Sequence, residues 1–541
     1  MKLVFIAQSI VALAASGQYP LGTTGAGHAV RKTPSTPDFA NFTTDAMEEW
    51  RVPGVSIAVV DGDRVFSEGF GFATLPDIKA TSDTLWSTGS TTKAFTAAAL
   101  SLLVASKNYS ELAQGWATPV SSIIRDDFVL FGAWATAHIT LEDAVCHRTG
   151  IPRHDWSIPD SVNGRPATMR DLTRNLRHLR PSEEPRVKLQ YSNYMFGVLS
   201  HVIEVLTGNG LERVLREYIW APLGMNSTSF GAGKGRKTPE RLSTGYYWHP
   251  RKQEFVPVSH EPLDLFSGTG AVVSSVTDYA EWLKCLLREA DPFPSAVHRD
   301  IRRPRMIGTP EQNFGPDVTL YGLAWERTTL HGSVAYKHGG TTASGGAQVM
   351  WLPDLKYGIV VFANSGAASR SLNNILSLRL LEDRLDILPE DRYGAADKIR
   401  ADRRRREYIL THPRDVLYPE RPATPLPPTA PQSQLIGKYY ESGYGVMYLT
   451  EDTDSDKSSG TRTILVGRRP DRASLGQVRF ENVSGDYWIA HLWDPDVEDS
   501  PDYGGGHFKF DVGGRVAALE ITISLPGQDI NEGTITFERL G

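Results

Sequence analysis

The stretch Trp86-Ser-Thr-Gly89-Ser90-Thr91-Thr92-Lys93-Ala-Phe-Thr-Ala-Ala-Ala-Leu-Ser-Leu-Leu103 decides how the rest of the chain is read. Its Ala- and Leu-rich run is a strong helix former, with Gly89 and Ser90 at the helix start. A serine there lies near unpaired backbone N–H groups and the positive end of the helix dipole. Lys93 follows three residues later, about 4.5 Å of rise along a helix, so both side chains share a face. An unaided serine hydroxyl is a poor nucleophile at neutral pH, and a neighbouring amine of lowered pKa activates it. Alone, the pattern is equally an N-capping serine followed by a solvated lysine. The rest of the chain has to choose.

With 541 residues and 40% hydrophobic content, the chain can form two or three domains with real cores. A formal net charge of −6, with both signs interspersed, gives no sign of a nucleic-acid surface, and no nucleic-acid partner is expected. The basic run Arg403–Arg406 reads as a solvated helix face. Two cysteines, Cys146 and Cys285, exclude a disulfide framework and read as independent buried thiols. Neither a Cys/His cluster of zinc-ligand spacing nor a His-Glu-x-x-His motif occurs, so no metal site is expected. At the N-terminus, Met1-Lys2, the apolar run Leu3–Ala15 and the small residues Ser16 and Gly17 form a signal-peptide pattern over 1–17. The run is too short to span a bilayer, and no other segment is apolar for long enough to cross one. A secreted protein is expected, and Asn-x-Ser/Thr sites at Asn41, Asn108, Asn226 and Asn482 fit that expectation. In the alternative, the stretch belongs to the fold and the protein is cytoplasmic.

Taken in order, a helix over 39–50 precedes two β-rich runs, 55–60 and 64–71, joined by Asp61-Gly62-Asp63 as a hairpin. The Ser90 helix follows, and then a long helical, loop-rich insertion with helices over 140–146, 169–179, 195–206 and 276–287. Strands return over 333–338, 347–352 and 358–364, and a helix over 371–385 closes the unit. The fold class is therefore α+β: five antiparallel strands in one sheet, flanked by helices, with a large helical insertion, over residues 38–386. Residues 387–432 hold a charged helix and the Pro-rich linker Arg421–Pro431. Residues 433–541 carry short alternating strands with Gly-, Asp- and Pro-rich turns, predicting a small antiparallel β domain, a barrel or sandwich.

Three elements could converge on one site. Ser90 and Lys93 are the first, Tyr191-Ser-Asn193 at a helix start is the second, and His338-Gly339-Gly340 at a strand end is the third. Glycines there let a substrate approach the strand edge, and the Thr341 N–H becomes available as a donor. Together they make a kit for acyl transfer: Ser90 attacks, Lys93 and Tyr191 share the base role, and the N–H groups of Ser90 and Thr341 form an oxyanion hole. For that role Tyr191 needs a pKa well below 10, which an adjacent ammonium supplies.

These motifs resemble the serine β-lactamase and penicillin-binding-protein-like family, in its class C β-lactamase, D-aminopeptidase and peptidase S12 branch. His338-Gly-Gly340 stands where other branches carry Lys-Thr-Gly. Val52-Pro-Gly-Val-Ser-Ile57, Thr140–Pro152, Ser267-Gly-Thr-Gly270 and Tyr321-Gly-Leu-Ala-Trp325 add family-like phrases. The resemblance implies the β-lactamase-like fold, a lipocalin-like C-terminal barrel, and a covalent acyl-enzyme at Ser90 with no metal or organic cofactor. It also implies that Asn193 orients the substrate amide, that His338, Gly339, Gly340 and Thr341 line the site, and that His147 is structural. The expected activity is a serine hydrolase of peptidase or esterase type on a small-molecule or peptide substrate. An acyltransferase of specialised metabolism with the same acyl-enzyme is the alternative, separated by whether water or another nucleophile resolves it. A catalytically silent binding protein is a third reading, against which the intact Ser, Lys, Tyr and Asn set argues. The β domain would cover the pocket mouth or mediate contacts in a homo-oligomer.

Overall fold

The computed structural model describes residues 36–541 apart from 232–238, 261–264, 266, 310–316, 457–459, 474–476, 494–502 and 525–530. The leader expected over 1–17 lies outside the described residues.

The run Val55–Val60 is apolar on consecutive positions because both faces of its strand, Gly54–Asp61, are covered. Val55, Ile57 and Val59 pack with residues of helices Pro37–Trp50 and Gly366–Arg384, while Ala58 and Val60 pack with the helical insertion. The strand Tyr357–Ala363 divides in the same way, Ile359 and Val361 to one side and Val360 and Phe362 to the other. Alternation along a strand thus sorts side chains between two cores rather than between core and water. The five expected strands are adjacent in one antiparallel sheet, with Gly54–Asp61 joining the early hairpin to the late strands through Val55↔Ala363 and Asp61↔Tyr357. The sheet is wider than five strands. It has nine, the additions being Met306–Thr309, Thr319–Tyr321 and Glu326–Leu330 at one edge and Ile78–Lys79 at the other. These edge strands are short and carry polar residues, which hides them from apolar periodicity.

The insertion supplies helices Thr92–Ser106, Leu141–Val145, Met169–Asn175, Asn193–Thr207 and Val276–Arg288. Ala94, Ala97, Ala98 and Ala99 are all buried, so small side chains let neighbours close around the first helix on every side. Phe95 is its largest anchor, with ring centroids 4.5 Å from Trp282, 5.5 Å from Tyr279 and 6.0 Å from Trp220. Cys146 and Cys285 are separate buried thiols. No helix among the described residues is long and apolar enough to cross a membrane.

Helix Ala395–Thr411 lies against helix Pro37–Trp50, with Arg400 paired to Glu49 at 2.6 Å and Arg403 5.0 Å over the Trp50 ring. The Pro-rich stretch then runs along the C-terminal domain, where the Thr429 N–H donates to Asp486 at 2.8 Å and the Leu426 N–H to Ser484 at 3.1 Å. That domain is a closed eight-stranded barrel in sequential antiparallel order, closed by Lys438↔Leu540. Rings from non-adjacent strands meet inside it, Phe508 lying 6.4 Å from Tyr439 and 6.3 Å from Phe480. The barrel is therefore a packed core. It docks on the loop after Pro152: Arg469 donates to the Trp156 carbonyl at 2.7 Å, and the Ala473 N–H donates to the Ile158 carbonyl at 3.0 Å.

Because Phe95 holds the Ser90 helix against three aromatic rings, Phe95→Ala should cost about 3–5 kcal/mol of stability, read by urea denaturation.

Candidate active site

Ser90 sits in a 3₁₀ turn, Gly89–Thr91, and Lys93 lies in the first turn of the helix that continues it. The Lys93 amine is fully buried. Its Nζ lies 3.0 Å from Ser90 Oγ, 2.9 Å from Asn193 Oδ1 and 2.9 Å from the Thr269 carbonyl oxygen. Burial, with Arg153 nearby, pulls its pKa well below the ordinary lysine value. A neutral amine has two hydrogens and one lone pair. Asn193 Oδ1 and the Thr269 carbonyl only accept, so both hydrogens are committed and the lone pair is left for the Ser90 O–H.

The Asn193 amide is pinned at its other end, where Nδ2 donates to the Asp155 carboxylate at 3.0 and 3.1 Å. Asp155 also pairs with Arg153 at 2.7 Å. Both ends of the Asn193 side chain are thus engaged within the protein, which lets it orient Lys93. Tyr191 precedes the same helix and lines the cavity beside Ser90. The expectation of a phenol well below 10 is corrected: burial raises it, outweighing the lowering effects of Ser90 and Arg153. Tyr191 is therefore a neutral phenol at physiological pH. Its ring packs 4.2 Å from that of His147, whose Nδ1 accepts the Ser192 N–H at 3.0 Å. Burial holds the His147 imidazole well below its ordinary value, and so neutral.

The third wall is the edge of strand Ser333–Thr342. A Cβ on Gly340 would lie 2.0 Å from the Thr88 carbonyl oxygen and 2.8 Å from the Ser90 nitrogen. One on Gly89, at φ +50°, would lie 2.7 Å from the Thr341 nitrogen. Two glycines facing each other thus let the Ser90 and Thr341 backbone nitrogens come together. His338 is buried, and burial pushes its imidazole down to about 4. Its Nδ1 donates to the Gly339 carbonyl at 2.7 Å, leaving Nε2 to accept from Tyr321 O–H at 3.2 Å. A neutral, fully engaged imidazole offers no charge to an anion. The cations on the cavity wall are Arg153, Lys188 and Arg370, with Glu326 opposing them.

Ser90, Tyr191, His338, Gly339, Gly340 and Thr341 line this one cavity of about 610 Å³, with Lys93 and Asn193 behind Ser90. Sequence reasoning did not find Asp155, Arg153 or the Thr269 carbonyl. Ser267-Gly-Thr-Gly270 was visible as a phrase, but a backbone acceptor has no side-chain signature. Gly340→Ala should lower stability by about 3 kcal/mol, since backbone atoms cannot yield, whereas Gly339→Ala should cost under about 1.5 kcal/mol. Thermal denaturation of the two variants compares them, because the Gly339 Cβ would meet only Gln348 Oε1 at 3.1 Å and the Ala347 carbonyl oxygen at 3.7 Å.

The family model described as Beta-lactamase matches residues 39–381. The chain is 36% identical over 461 residues to an unguisins hydrolase of Aspergillus campestris, covering 85% of this chain and 84% of that protein. It is 35% identical over 480 residues to an unguisins hydrolase of Aspergillus violaceofuscus, covering 85% of this chain and 83% of the relative. In fold it is similar to the octameric penicillin-binding protein homologue from Pyrococcus abyssi, with a TM-score of 0.56 at 20% identity over 92% of this chain and 99% of that one. The buried Ser90–Lys93 pair, the sheet that carries it and these matches lead to one conclusion: the chain belongs to the β-lactamase family, as a serine hydrolase.

Proposed function

We propose that the protein hydrolyses an amide or ester bond of an unguisin-like substrate through an acyl-serine at Ser90. The observation that carries this reading is the buried Lys93 Nζ 3.0 Å from Ser90 Oγ, with acceptors for both of its hydrogens in Asn193 and Thr269. The substrate class rests on the names of the two Aspergillus relatives, each covered along more than four-fifths of its length. The cavity, at about 610 Å³, falls within the roughly 300–1,000 Å³ usual for organic ligands.

Lys93, neutral at rest, takes the Ser90 proton as Oγ attacks the carbonyl carbon. Negative charge develops on the carbonyl oxygen between the N–H groups of Ser90 and Thr341, where preorganised donors stabilise it. Lys93 then gives up the proton it took, and Tyr191, a neutral phenol beside Ser90, passes it to the leaving nitrogen or oxygen as the scissile bond breaks, so that Lys93 is neutral again. Water then attacks the acyl-serine, Lys93 accepts its proton, and Ser90 regains its hydrogen as the acid product leaves. His338, Gly339 and Gly340 shape the wall along which the substrate backbone lies. Secretion with removal of Met1–Gly17 belongs to the same proposal, and the N-terminal residue of protein recovered from culture medium tests it.

Intact-mass spectrometry with an activated p-nitrophenyl ester, a penicillin and a D-alanyl amide tests the chemistry. An adduct mapping to Ser90 and missing from Ser90→Ala is expected, while an unmodified wild type with every donor would overturn the acyl-serine. Lys93→Met should slow acylation by about a thousandfold. Acylation should rise with pH as Lys93 loses its proton and level off well below the roughly 10.4 of an ordinary lysine.

A further inference from the structure

The last barrel strand, Asn531–Leu540, delivers one acidic side chain to the loop behind Ser90. Glu532 is 9% exposed. Its Oε1 accepts the Asp155 N–H at 3.1 Å, and its Oε2 lies 3.1 Å from the Tyr444 hydroxyl. Tyr444 Oη lies 2.6 Å from His154 Nδ1, while His154 Nε2 lies 2.9 Å from the Arg180 carbonyl oxygen. A carbonyl only accepts, so His154 Nε2 carries a hydrogen and Nδ1 of the neutral ring is an acceptor.

The chain His154–Tyr444–Glu532 then lacks one proton. The single hydrogen of Tyr444 satisfies Nδ1 or Oε2, and both contacts become hydrogen bonds only if one more proton is present. That proton resides on His154 or on Glu532. Burial pulls the His154 imidazole down to about 4, and burial beside Asp155 pushes the Glu532 carboxyl up to about 7. The proton belongs to Glu532.

We propose that Glu532 is a positioning residue for the chemistry at Ser90: as a neutral carboxylic acid it donates to Tyr444, accepts from the Asp155 backbone, and so sets the carboxylate that orients Asn193 toward Lys93. This rests on the acyl-serine reading above. The charged and titratable groups facing Glu532 are Asp155 and Arg153 on the loop and Tyr444 and Arg469 on the barrel. When Glu532 ionises, its charge opposes the Asp155 carboxylate, and Tyr444 must choose between His154 and Glu532. The barrel thereby communicates with the nucleophile through one backbone N–H and one amide side chain.

The test is the rate at which a fluorophosphonate labels Ser90, followed by intact mass across pH in wild type, Glu532→Gln and Glu532→Ala. In the labelling step Ser90 Oγ bonds to phosphorus, fluoride leaves and the hydroxyl proton passes to Lys93. Glutamine reproduces the neutral acid, accepting through its oxygen and donating through its nitrogen. The ratio of the Glu532→Gln rate to the wild-type rate should be near one at about pH 6 and reach about fivefold at about pH 8.5. Glu532→Ala, which loses both contacts, should label about tenfold more slowly at every pH.

Melting temperatures give a readout independent of catalysis. A carboxyl raised on folding binds more protons in the folded than in the unfolded state, so its stabilisation is lost as pH rises from about 4.5 to about 7. Glu532→Gln should therefore melt above wild type by a margin that opens across that window and then stays constant. A flat rate ratio, wild-type labelling by Glu532→Ala, or a melting difference independent of pH would each overturn the proposal. Wild-type protein that leaves Ser90 unlabelled would instead remove the acyl-serine reading, with the melting curves still judging Glu532.

Discussion

One amine taken out of water organises the catalytic half of this protein. An ammonium ion buried without a counter-charge is strongly disfavoured, and the interior resolves this by favouring the neutral form of Lys93. Neutrality is useful only if the two N–H bonds are spent elsewhere. Asn193 and Thr269, from separate segments of the insertion, spend them. The Ala-rich helix, closed in on every side, keeps water away from Lys93. Reactivity at Ser90 is thus a consequence of packing, since each contact that buries Lys93 also favours its neutral, proton-accepting form.

A second constraint acts on the backbone. Ser90 has to meet a strand edge closely enough for its own N–H and that of Thr341 to serve one oxygen, and side chains at Gly89 and Gly340 would prevent it. The nine-stranded sheet gives that edge a fixed position, because its central strands are buried on both faces. The site is therefore assembled from a rigid sheet edge and a rigid helix, with little left to a loop. The exceptions are the coil bearing Lys188 and Tyr191 and the segment bearing Arg153 and Asp155, which the barrel clamps from outside.

Much of this was legible in the amino-acid order, for identifiable reasons. Ser90 and Lys93 share a helical face, Tyr191 and Asn193 stand at a helix start, and His338-Gly-Gly340 ends a strand. Each is a local pattern. Gly54–Asp61, Gly345–Leu352 and Tyr357–Ala363 announced themselves because burial on both faces makes their apolar runs continuous, and Arg64–Thr74 through the Asp-Gly turn before it. The edge strands did not, since Thr319–Tyr321 and Glu326–Leu330 are short and mixed. Nor did the ionisation of Tyr191, which burial governs, or the engagement of Asn193, which depends on Asp155. Glu532 lies 377 residues from the Asp155 N–H that it accepts. No spacing rule reaches so far.

The placement of Gly54–Asp61 also bears on how the chain acquires its structure. This strand emerges early, yet its partner on one side is Tyr357–Ala363, and the Gly54 N–H is held by Asn364, 310 residues later. The early hairpin cannot bury its second edge until the whole insertion has been made. Loop-closure entropy for so distant a pairing slows the search, and large domains of high contact order populate intermediates with unpaired edges. The nascent protein thus carries an apolar strand in waiting until Tyr357–Ala363 has been made.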